Sequence, residues 1–123
     1  MEDLQETVTL YRPVGPKEFE LLKSTDFKRW PPRLPDQPIF YPVTSEEYAN
    51  EITIKWNVRD FGVGYVTRFK VRKKFMDRYP LQRVGADRHT EWWIPSEELE
   101  ALNDNIVGEI ELISTHPSST DRR

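Results

Sequence analysis

GYVTRFKV, residues 64–71, sets Tyr65, Thr67, Phe69 and Val71 on one side of an extended chain and Val66, Arg68 and Lys70 on the other. Successive side chains of a β-strand point to opposite faces, so this period of two predicts a strand with one largely apolar face turned to a core. Working back from it, residues 60–64 read as a turn. Before that turn, Tyr48, Ile52 and Trp56 recur at helical spacing, and Thr44 with Glu47 three residues later has the spacing of a capping box. A helix is therefore expected to end near Asn57. Residues 39–43 form a short apolar run. Residues 26–38 hold Pro31, Pro32, Pro35 and Pro38, which forbid a regular helix or a central strand and predict an extended loop of polyproline character. Nearer the start, Val8 and Leu10 alternate with polar neighbours as in a strand that Pro13 should end. Gly15 and Pro16 then lead into a short helix, residues 17–24, with Phe19 and Leu22 on one face.

Forward from the same strand lie a basic stretch, a turn at residues 77–80 and a short strand at 81–84. A polar loop at 85–88 and a strand at 89–94 carrying Trp92 and Trp93 come next. Ser96 is placed to cap a helix through about Leu102, with Glu97 and Glu98 favourable to its dipole. Residues 106–113 read as the last strand. The expectation is a compact single α+β domain over residues 7–113, with about six mostly antiparallel strands in a split sheet and about three short helices. Residues 1–6 and 114–123 are expected to be flexible ends.

Composition narrows the chemistry. A chain of 123 residues fits one domain, and 4 Trp, 5 Tyr and 6 Phe supply core despite a charged fraction of 32%. The absence of cysteine excludes a disulfide framework, a Cys-bearing zinc site and a thiol nucleophile. Two histidines, His89 and His116, are too few for a histidine-rich metal centre, so no metal is expected. Neither a Walker loop nor a dinucleotide fingerprint is present. No apolar run approaches the ~20 residues that span a bilayer, and residues 1–6 are acidic where a signal peptide is basic. A cytoplasmic protein without membrane contact is the expectation. A net charge of −3 gives no global attraction to nucleic acid.

Polar residues at predicted strand ends are the candidates for a site: Arg12, Tyr41, Ser45, Arg68 and Glu91. Glu91 is the odd one, since a carboxylate in a half-buried strand beside two tryptophans needs a partner or a wet cleft. Arg12 or Arg68 would supply an ion pair. A competing class is a binding module without catalysis. Lys28, Arg29, Trp30 and Arg33, and separately Phe69, Lys70, Arg72, Lys73, Lys74 and Phe75, combine charge with aromatic rings as single-strand nucleic-acid binders do. Charge runs are more often solvated faces. The PxxP run from Pro32 to Pro35 fits a protein-interaction module, or simply a stiffened loop.

Several segments together resemble a small bacterial family whose members often carry an ADP-ribosylation/crystallin label. They are LYRPVGPKE (residues 10–18), WPPRLP (30–35), QPIFYPV (37–43), GYVTRF (64–69) and EWWIPSEEL (91–99). The acidic metal clusters of the ADP-ribosyl-glycohydrolases that the label evokes have no counterpart here. A more distant resemblance is to the ADP-ribosyltransferase-like fold, a split β-sheet domain that binds NAD. That resemblance implies Arg12 on the first strand as a cofactor contact, Tyr41 or Ser45 at a strand-to-helix passage, and Glu91 on a late strand as the catalytic carboxylate. The implied activity is ADP-ribosyl transfer or NAD glycohydrolysis, with NAD or a related nucleotide as the partner.

Overall fold

The computed structural model describes residues 6–85 and 89–116. The strand expected at residues 64–71 is β3, Gly64–Arg72, and it is the central member of a three-stranded antiparallel sheet. Its neighbours are β1, Thr7–Val14, and β7, Ile106–His116. The register sets Leu10 opposite Phe69 and Arg12 opposite Thr67. Side chains at alternate positions share a face, so Leu10, Arg12 and Val14 lie on the same side as Tyr65, Thr67, Phe69 and Val71.

That face carries the main core, where Leu10, Leu22, Trp30, Phe40, Phe69, Ile94 and Leu102 are buried. Helix α1, Pro16–Lys23, covers it with Phe19 and Leu22, and α5, Leu99–Asp104, covers it with Leu99 and Leu102. Truncating one of these large residues to alanine removes transfer energy and leaves a cavity, at a cost of about 2–5 kcal/mol. The opposite face is covered at one end only. There α2, Glu46–Ile52, sets Tyr48 and Ala49 against Val43 and Val66, while Lys70 further along the strand stays exposed.

Two short pairs complete the β structure: β2, Ile39–Phe40, with β6, Ile94–Pro95, and β4, Leu81–Arg83, with β5, Thr90–Trp92. Val43 joins the pieces, bridging Tyr11 of β1 on one side and Glu91 of β5 on the other. The architecture is α+β and mostly antiparallel.

Several expectations need correction. Pro13 does not end β1, which continues to Val14. The Tyr11 N–H donates outward to the Val43 carbonyl, so the position two residues on also faces away from β3 and its missing N–H costs no ladder bond. The cap of α2 is Ser45, whose Oγ accepts from the Tyr48 N–H at 3.1 Å, not Thr44. That helix also runs past Asn57, through a π-helical turn at Thr53–Asn57 into α3, Val58–Phe61. The wider turn rotates Trp56 outward, and it ends 51% exposed instead of following Tyr48 and Ile52. The basic stretch contains a further helix, α4, Lys73–Met76, so the described residues hold four helical bodies where about three were expected. β7 reaches His116, three residues beyond the expected end of the domain, with Ser114 opposite Val66. The flexible ends expected at residues 1–5 and 117–123, and most of the loop at 85–88, lie outside the described residues. Among the described residues, no helix is long and apolar enough to cross a membrane.

Candidate functional site

A pocket of about 340 Å³ opens where the outer edge of β1, residues 41–43 and the π-helical turn meet, lined by Arg12, Pro13, Tyr41, Val43, Ile52, Asn57 and Glu91. Its construction depends on Gly64. A Cβ there would lie 2.6 Å from Thr53 Cγ2 and 2.7 Å from Asn57 Cβ, so only glycine lets the π-helical turn settle on the start of β3. Thr53 adds to the distortion, since its Oγ1 donates to the Ala49 carbonyl at 2.8 Å, a back-bond that bends helices. π-Helical turns are frequent at functional sites, and this one brings Asn57 to the pocket wall.

The carboxylate of Glu91 is fixed by two donors. Trp93 Nε1–H donates to Oε2 at 2.7 Å and the Tyr48 hydroxyl reaches Oε1 at 3.4 Å. Burial, and then the negative charge of Glu91, push the Tyr48 phenol above its ordinary value. Tyr48 also stacks on His89 with centroids 4.4 Å apart, and His89 Nε2 lies 3.0 Å from Glu51 Oε1. At the rim, Tyr41 and Trp93 meet edge to face at 6.4 Å, each 43% exposed.

Of the four residues the resemblance implies, Arg12, Tyr41 and Glu91 therefore border one pocket, but their side chains are not all aimed into it. Arg12 points to the main-core face. Its guanidinium donates to Glu18 through Nε at 2.9 Å and Nη2 at 3.0 Å, lies 4.5 Å from the Phe40 ring centroid, and is 8% exposed. The expected pairing of Glu91 with Arg12 or Arg68 is thus replaced by Tyr48 and Trp93, while Arg68 pairs with Glu111. An Arg12 so clamped has no free fork for a phosphate. Ser45 does not line the pocket, and its Oγ serves the α2 cap.

The aromatic residues of the basic stretches are core. Trp30 and Phe69 are 1% exposed and Phe75 is 6% exposed, so none offers a face to a nucleobase. Arg29 is bound by Glu100 and Asp104, and Lys73 by Asp77. Tyr48, Asn57 and Trp93 were missed by sequence reasoning. The signal for two of them was present, since a strand carboxylate needs donors and both Trp93, two residues on, and a tyrosine on a neighbouring helix can give one.

Among the described residues, no group of histidine and carboxylate side chains could hold a metal ion. Comparisons with family models, curated proteins and solved structures returned no match.

Proposed function

We propose that the chain binds the nicotinamide-riboside end of NAD, or a related nucleoside, in the pocket beside Glu91. The observation that carries this reading is an oriented carboxylate with an aromatic rim and no cation paired to it among the described residues. A carboxylate accepts from ribose hydroxyls, and exposed aromatic faces attract a ring bearing delocalised positive charge. The pocket volume of about 340 Å³ falls at the small end of ligand sites, which suits half a dinucleotide. Because Glu18 occupies Arg12, the phosphates would lie outside the pocket and not on Arg12. What speaks for an ADP-ribosyltransferase-like arrangement is an antiparallel sheet in separate pieces, with the acidic residue on a late strand.

If bound NAD reacts there, the ribose C1′–N bond breaks with its electron pair leaving on nicotinamide. An acceptor oxygen bonds to C1′ and releases its proton. Glu91 would stabilise the positive charge that builds on the ribosyl ring between those events.

Titration with NAD and with nicotinamide riboside, followed by amide shifts, is expected to move Tyr41, Asn57, Glu91 and Trp93. Glu91→Gln is expected to weaken binding about tenfold, as loss of a hydrogen bond to a charged group does. Any turnover of NAD should fall ~100-fold or more in the same variant. Unmoved pocket resonances at millimolar nucleotide, or shifts indifferent to Glu91→Gln, would remove the proposal.

A further inference from the structure

A second concavity, of about 330 Å³, lies on the other side of the Arg12–Glu18 pair, between α1, the proline-rich loop and the end of α3. Its walls are apolar. Leu21, Leu34 and Phe61 stand 45%, 55% and 60% exposed around it, and Pro31 and Pro32 stiffen one side. Isolated exposed apolar residues are ordinary, but several gathered around one hollow mark a contact surface. Gly15 shapes the floor, because a Cβ there would come within 3.3 Å of the Phe61 ring.

The charge inside this groove is unbalanced. Arg33 lines it half buried, and among the described residues no carboxylate pairs with it. Its Nη2 donates to the Ile39 carbonyl at 3.1 Å, and its Nε is buried with no acceptor. Burial first, and the nearby positive charge of Arg12 second, pull its pKa below the usual arginine value. Lys17 adds another positive charge, while the Glu18 carboxylate that also lines the groove is already held by both arms of Arg12. Glu18 opposes that shift from nearby but is bonded to Arg12, so a half-buried guanidinium with no carboxylate of its own gains from a ligand that supplies one.

We infer that this groove is a second binding site, for a small organic carboxylate with an apolar body. The carboxylate would take the terminal N–H groups of Arg33 that the Ile39 carbonyl leaves free, and the apolar body would cover Leu21, Leu34 and Phe61. The volume admits an aryl or short aliphatic acid. A bare phosphate satisfies the charge but leaves the apolar walls wet.

The test is an amide-shift titration of the full chain with phenylacetate and hexanoate, using phenylethanol and hexanol as neutral counterparts and inorganic phosphate as the bare anion. The acids are expected to shift Leu21, Leu34 and Phe61 at millimolar concentration, with the alcohols about tenfold weaker. Arg33→Gln should bring the acids down to the level of the alcohols. Should that variant fold poorly, Leu34→Glu, at an exposed loop position, places a like charge at the groove and is expected to weaken the acids at least as much. Alcohols binding as well as acids would overturn the proposal. So would phosphate producing the same shifts, or acid binding that survives Leu34→Glu.

Discussion

The two concavities share a wall and carry opposite electrostatics. On one side of Arg12 and Glu18, Glu91 is held by neutral donors and borders an aromatic-rimmed pocket. On the other, Arg33 lines a largely apolar groove with no carboxylate bonded to it among the described residues. The difference shows that the character of a site is set by which charges are already spent. Arg12 was expected to hold a ligand, and Glu18 neutralises it.

The largest effect is expected from breaking that wall. Glu18→Gln strands the Arg12 guanidinium among Phe40 and Trp30, and loss of one partner of such a buried pair costs about 3–5 kcal/mol, readable in chemical denaturation. The double change Arg12→Met with Glu18→Leu should recover most of it, because the charge and its partner leave together. Gly64→Ala comes next, at roughly 1–3 kcal/mol for overpacking against Thr53 and Asn57. It should displace the resonances of Asn57 and Glu91 while leaving those of Leu34 in place, separating the two regions.

Alkaline titration sharpens the contrast further. The folded-state pKa of Tyr48 lies above its ordinary 10.0, so the stability it contributes is whole below that pH and is lost as pH rises through the folded value. Tyr79, half-buried and bonded to Glu98, behaves in the same direction. Glu91→Gln should bring the Tyr48 phenol part of the way back, with burial holding the remainder, and should leave Tyr79 unmoved, as followed by ring resonances against pH. The smallest effect is expected from Arg68→Ala on the exposed sheet face, which should leave Tm unchanged within error because solvent screens its pair with Glu111.

The strand pattern around Phe69 was legible because alternation survives wherever one face of a sheet is dry. Glu91 was legible as an anomaly for the same reason. Of its partners, Trp93 two residues on was open to the same reasoning, whereas the choice of Tyr48 depends on how α2 docks, which no spacing along the strand encodes. Trp56 shows the limit from the other side: its i, i+4 relation to Ile52 is real in the sequence, but a π-helical turn inserted by Thr53 and the room at Gly64 turns it to solvent. Trp30 misled in the opposite sense. Set among arginines and prolines it reads as surface, yet the Asn103 amide accepts from its backbone N–H at 2.8 Å and donates to its backbone carbonyl at 3.0 Å, fixing it in the core.

That amide has a consequence in time as well as in space. Asn103 lies 73 positions beyond the residue it holds, so during synthesis, at about 5–20 residues per second, the loop bearing Arg33 must wait several seconds for its clasp to emerge. The groove beside Arg33 is therefore among the last parts of the molecule to mature. A replacement such as Asn103→Asp, which keeps the acceptor and discards the donor, should register as a slow closing phase in refolding before it registers as a loss of strands.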